Sequence, residues 1–138
     1  MRPFARACLG LAALVWCGAS ACAQATIGEL LDAGGRQLSK PELVALLSGA
    51  TYSGQTRLGQ PFHIRSRPDG SFSGSARGVQ FGGRWWVEAN GLHCWEVREP
   101  RPLDEVSCST WFRKGSDYFV SDADARRDAR LRKRVFGK

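Results

Sequence analysis

Apolar positions fall into two regimes along this chain. Up to Gly49 they recur at helical spacing, and from Thr51 onward they alternate in short runs broken by glycine. The segment Thr26 to Gly34 opens with Thr26 followed by Glu29, a capping-box spacing that predicts a short helix or lead-in. Ser39 to Gly49 is a stronger helix signal. Ser39 can serve as N-cap, Pro41 falls in the first turn where its missing N–H is harmless, and Glu42 completes the box. Leu43, Leu46 and Leu47 form one stripe, and Gly49 suits the left-handed residue that ends a helix. This helix is expected to lie on the sheet.

The rest of the chain reads as strands joined by tight turns. Pro61 to Ser66 is a strand. Pro68-Asp69-Gly70 reads as a type I turn with a glycine bulge, which sets Ser66 opposite Phe72 and puts Phe62, Ile64 and Phe72 on one face. Arg84 to Val97 (RWWVEANGLHCWEV) is the strongest hairpin signal. Placing Asn90-Gly91 in a two-residue turn pairs Trp86 with Trp95, Val87 with Cys94 and Glu88 with His93. Trp85, Val87 and Cys94 then share one face, and Trp86, Glu88, His93 and Trp95 the other. Val106 to Arg113 is the next strand, with Val106, Cys108, Thr110 and Phe112 on one face. A Gly115-Ser116 turn sets Phe112 opposite Phe119 and Trp111 opposite Val120. Leu131 to Phe136 is a last strand, expected to turn Leu131, Lys133 and Val135 inward and Arg132 and Arg134 outward.

These elements make a mainly β fold: an antiparallel meander of about seven or eight short strands, curling into a half-barrel or small barrel, with one N-terminal helix packed on it and one disulfide. Residues 1–25 form a signal peptide: Arg2 and Arg6, a short apolar run from Leu9 to Trp16, and two A-x-A cleavage sites ending at Ala23 and Ala25. The apolar run is well short of the ~20 residues that a membrane span needs. A lipoprotein acylated at Cys22 is the weaker alternative, because Ala19 stands where the lipid-attachment pattern normally has Leu. Residues 26–138 form a single domain, and the expected location is periplasmic or secreted.

Three of the five cysteines lie in the leader, which leaves Cys94 and Cys108 to pair in an oxidising compartment. A loop of this length gives about 3 kcal/mol in the chain-entropy picture. Two cysteines with His63 and His93 lack metal-site spacing, so no metal and no cofactor is expected. The formal charge of +7 falls to +5 without the two leader arginines. With export, nucleic acid is not an expected partner despite the basic charge. The candidate partners are an anionic polysaccharide, a membrane surface or a periplasmic protein.

The order of short motifs also resembles a family. A helix ends in Leu46-Leu47-Ser48-Gly49, Thr51-Tyr52-Ser53-Gly54 follows, and then come Pro68-Asp69-Gly70 and Gly82-Gly83-Arg84-Trp85. The two cysteines, Lys114-Gly115-Ser116-Asp117-Tyr118 and a basic strand ending in Phe136-Gly137 complete the order. The pattern resembles the small exported bacterial proteins grouped as the domain of unknown function 995, over about Leu43 to Gly137. The resemblance implies an exported β-rich fold with no established activity, so no catalytic residue carries over.

Two groups of side chains are candidate binding residues. Trp86, Trp95 and Trp111, with His93, are expected to form an aromatic strip on the face opposite the disulfide, offering rigid area to a sugar, lipid or protein. Arg130, Arg132 and Arg134, near Arg126 and Arg127, are expected to form a basic patch. His93, Glu88 and the nearby Ser107 and Ser109 carry the weaker hydrolase reading, without a nucleophile-elbow motif. The function expected is a non-enzymatic binding module, with an inhibitor or immunity-type protein as the alternative.

Overall fold

The computed structural model describes residues 25–137. The signal-peptide reading and Cys8, Cys17 and Cys22 lie outside the described residues. Two short helices precede the barrel: α1 (Ile27–Asp32) and α2 (Lys40–Leu47), with a two-residue strand β1 (Arg36–Gln37) between them. Both helices start in the capping boxes expected from the sequence, Thr26 with Glu29 and Ser39 with Glu42. Eight strands follow: β2 (Thr51–Gln55), β3 (Pro61–Ser66), β4 (Ser71–Ala76), β5 (Val79–Val87), β6 (His93–Glu99), β7 (Val106–Lys114), β8 (Asp117–Asp122) and β9 (Arg132–Phe136).

Each strand from β2 to β9 pairs antiparallel with the next, and β9 pairs with β2, so the meander closes into an eight-stranded barrel. Closure removes the edges that an open sheet would leave for aggregation. β1 adds to the far end of β7, where Gln37 opposes Phe112, beyond the point at which β6 stops pairing.

Two turns set the register read from the sequence. Ser66 lies opposite Phe72 and Ile64 opposite Gly74 across Pro68-Asp69-Gly70, and Phe112 lies opposite Phe119 and Trp111 opposite Val120 across Gly115-Ser116. The Asn-Gly turn corrects the reading by one residue. Only Gly91 has a positive φ (85°), Gly91 N–H donates to Glu88 O, and Leu92 N–H bonds the Asn90 side chain. The loop is therefore Ala89-Asn90-Gly91. Trp85 opposes Trp95, Trp86 opposes Cys94 and Val87 opposes His93. A slip of one residue exchanges the faces. Trp85, Val87, His93 and Trp95 point into the barrel, while Trp86, Glu88 and Cys94 point out.

The Cys94–Cys108 disulfide forms as expected, joining directly paired residues of β6 and β7. It lies on the outer face and not in the barrel core, because Cys94 alternates with the inward His93 and Trp95. A disulfide is compatible with an extracellular or periplasmic setting.

Helix α2 does not lie on a sheet face. Leu43 and Leu47, both 0% exposed, cluster with Tyr52, Phe72, Trp85, Trp111 and Val120, inward residues of five different strands. The chain is tied to β7 just before the helix, through Leu38 N–H to Trp111 O, and to β3 just after it, through Ser66 N–H to Ala50 O, so α2 crosses one end of the barrel and plugs it. Helix α1 packs outside, where Ile27 and Leu30 cover Phe112, Leu131 and Phe119. That cover explains why Phe112 is buried on the outer face.

The last strand also departs from expectation. Arg134 is 9% exposed and Phe136 packs 5.6 Å from Tyr52, while Val135 is 55% exposed. Arg132, Arg134 and Phe136 thus face inward and Lys133 and Val135 outward, the reverse of the sequence reading. Phe136 has the larger apolar surface to bury, and its neighbours Tyr52, Trp111 and Tyr118 supply the aromatic contacts.

Candidate functional site

With α2 plugging one end, the inward side chains do not fill the other. A cavity of ≈ 520 Å³ remains, and its open end is marked by Thr56, Arg57, Ala76, Val106 and Asp122, which lie on the β2–β3 loop and at the strand ends remote from α2. This volume is in the range of small-molecule sites. The exposed Leu58, Val79, Leu103 and Val106 all belong to loops or strand ends at this rim.

The walls are mainly aromatic. Trp85, Trp95 and Trp111 surround His93, with ring centroids 6.0, 5.3 and 5.9 Å from the imidazole. Trp111 Nε1–H donates to His93 Nδ1 at 3.2 Å, which fixes the neutral tautomer with its proton on Nε2. Burial, and secondarily the nearby Arg134 charge, push the His93 pKa down to about 3. The ring is therefore a neutral hydrogen-bond donor at physiological pH. Nε2 is buried without a hydrogen-bond partner among the described residues, as is Arg132 Nε. Such groups are rare in folded proteins because an unmet buried donor is costly. Tyr52 lines the same space, and burial, opposed by Arg134, pushes its phenol up to about 12.

Two arginines enter the cavity from β9. Arg132 lies toward the rim and donates to Asp122 Oδ1 at 3.2 Å, while Arg57 donates to Asp122 Oδ2 at 3.1 Å. Burial opposes ionisation of Asp122, but the hydrogen bonds from Arg132 and Arg57 outweigh it and hold its pKa below the usual value. Arg134 lies deeper. Its guanidinium carbon stacks 4.8 Å from the centre of the Phe62 ring, and Nη1 donates to the Gln55 and Lys133 carbonyls. Gly54 opposes Arg134 across the β2–β9 pair. A Cβ there would stand 2.6 Å from Arg134 Nη1, so any larger residue would displace the guanidinium from its present place. Burial, then repulsion from Arg132, lower the Arg134 pKa to about 10, which leaves it charged at neutral pH.

The structure thus redistributes the candidate residues. Trp95, Trp111 and His93 come together inside the barrel, joined by Trp85, which the two-residue turn had placed on the other face. Trp86 leaves the set and stands half-buried on the outer wall. Arg130, Arg132 and Arg134 do not form one patch: Arg130 is exposed, whereas the other two line the cavity. The His93–Glu88 pair does not form, because Glu88 is exposed on the outer face and Trp111 occupies Nδ1. Ser109 opposes His93 and Ser107 opposes Trp95, both on the cavity wall, but no hydrogen bond joins either to His93 among the described residues. Glu88, Cys94 and Cys108 cluster closely, yet both sulfurs are committed to the disulfide and are not available to a metal.

No protein-family model matches the chain, and no curated protein matches it.

Proposed function

We propose that this protein is an exported, non-enzymatic binding module that holds a small, largely apolar molecule inside its barrel. The supporting observation is the aromatic-walled cavity of ≈ 520 Å³, open at one end and lined by the unpartnered polar atoms His93 Nε2 and Arg132 Nε. Convergent polar groups in an apolar recess are the usual composition of a ligand site. Export rests on the leader sequence and agrees with the disulfide. The resemblance of the motif order to the domain of unknown function 995 supports the same compartment and adds no activity. The occupant fits a small molecule better than a polysaccharide chain, because α2 seals the far end. The apolar rim at Leu58, Val79, Leu103 and Val106 supplies an entrance for apolar compounds.

A neutral polarity-sensitive dye, N-phenyl-1-naphthylamine, tests this reading. The oxidised protein is expected to bind it with a blue shift and enhanced emission. Ser107→Phe, which projects a ring into the cavity opposite Trp95, is expected to weaken binding at least tenfold while keeping a cooperative melt. A folded wild type that leaves the dye emission unchanged, or a folded S107F that binds as well, overturns the reading.

A further inference from the structure

Resting on the proposed barrel site, we infer that its ligands are small apolar acids, whose anionic group sits at Arg134 and whose apolar body lies among the tryptophans. Arg134 is 9% exposed, and no carboxylate pairs with it among the described residues. The other inward arginine, Arg132, already has Asp122. Burying a cation without a counter-charge is strongly unfavourable unless something compensates it. The fold nevertheless holds Arg134 there deliberately: Gly54 leaves the space, Phe62 supplies a stacking face, and two backbone carbonyls take one nitrogen. Those contacts orient the guanidinium without neutralising it.

A guanidinium presents its donors in a planar fork that matches a carboxylate in bidentate fashion. Two further unpartnered donors line the same cavity, His93 Nε2–H, held in that tautomer by Trp111, and Arg132 Nε–H. A carboxylate accepts from both kinds of donor, and a neutral or cationic head group does not answer the Arg134 charge. The depressed Arg134 pKa agrees with a cation held short of solvation and counter-charge. The body of the ligand then meets Trp85, Trp95 and Phe62, which offer rigid apolar area to an alkyl or aromatic skeleton.

An aromatic acid and a fatty acid share this chemistry, so the test carries both. Binding of 2-naphthoate, its neutral isostere 2-naphthamide, and decanoate is measured by titration calorimetry on the oxidised wild type at neutral pH and on Arg134→Met. Wild type is expected to bind one or both acids at least tenfold tighter than the amide. The preferred acid tells whether aromatic or alkyl bodies fit. In R134M the preference is expected to vanish, while binding of the neutral dye and a cooperative melt persist. Equal affinity of wild type for naphthoate and naphthamide, with decanoate no tighter, overturns the inference. A preference for acids that survives in folded R134M overturns it as well. If the dye binds but neither acid does, the acid assignment falls and the binding barrel stands. If the dye also fails to bind, the barrel reading itself is lost. The wild-type comparison of acid with amide decides the matter even if R134M does not fold.

Discussion

His93 loses its ordinary titration because three indoles displace the water that would solvate an imidazolium. Its folded pKa, about 3, lies below the ordinary histidine value of 6.5, so the unfolded chain takes up a proton that the folded chain refuses. Stability is then intact above pH 6.5 and declines as pH falls from 6.5 toward 3. The expected slope is about 1 kcal/mol per pH unit below the midpoint, read from urea melts between about pH 6 and pH 5. The lowered carboxyl groups of Asp122 and Glu42 lose their contribution only at more acid pH, below this window. His93→Asn keeps an acceptor for Trp111 and cannot titrate. It is expected to lower stability at neutral pH and to flatten the dependence; an unchanged slope would show that other groups cause it. At this scale the sequence named His93 but not its role. A histidine between Leu92 and Cys94 carries no sign of a distant Trp111 donating to it, and Arg134 reads as solvated until Gly54 is known to face it.

Turns and helices were legible in proportion to how narrowly their residues restrict the backbone. Both capping boxes and the Pro68-Asp69-Gly70 and Gly115-Ser116 registers follow from local chemistry alone. Asn90-Gly91 was ambiguous, because one glycine serves a two-residue or a three-residue loop equally well. A signal that could have resolved it lay in the charges. Only the three-residue loop gathers Arg84, Glu88, Glu96 and Arg98 on one face, away from Trp85, His93 and Trp95. The position of α2 was not legible, because a Leu stripe needs an apolar partner but does not say whether that partner is a sheet face or a barrel end. Leu47, at 0% exposure among residues from several strands, tests the plug. Leu47→Ala is expected to lower unfolding free energy by about 2–5 kcal/mol in denaturant melts. A loss below about 1 kcal/mol, typical of a surface change, would place the helix outside the core.

On the scale of the whole molecule, the barrel and the disulfide make separate contributions. Closure satisfies the backbone of all eight strands without a staple, and the Cys94–Cys108 bond spans only the β6–β7 connection. Reduction is therefore expected to lower stability by about 3 kcal/mol while leaving the far-ultraviolet circular dichroism unchanged. Loss of the β signal on reduction at low temperature would make the bond a condition of the fold. The sequence indicated a meander of about this strand number because alternation and turn residues are local properties. It left barrel closure open, since pairing of β2 with β9 joins segments that share no local signal.

The manner of closure also shapes how the chain reaches its native state. Every seam of the barrel joins neighbours in sequence except the one between Tyr52 and Phe136. The hairpins can form from short loops, whereas this last seam must bring distant parts of the chain together against a larger entropy. It is therefore expected to be the slow step of assembly, so a substitution at the β2–β9 seam should slow refolding in stopped-flow measurements more than one within the β3–β4 hairpin does. Gly54 and Arg134 face each other across it, so the buried charge lies on the one seam that joins the two ends of the meander. An anion drawn to that guanidinium would hold the seam shut, and occupancy and persistence of the closed barrel would rise together.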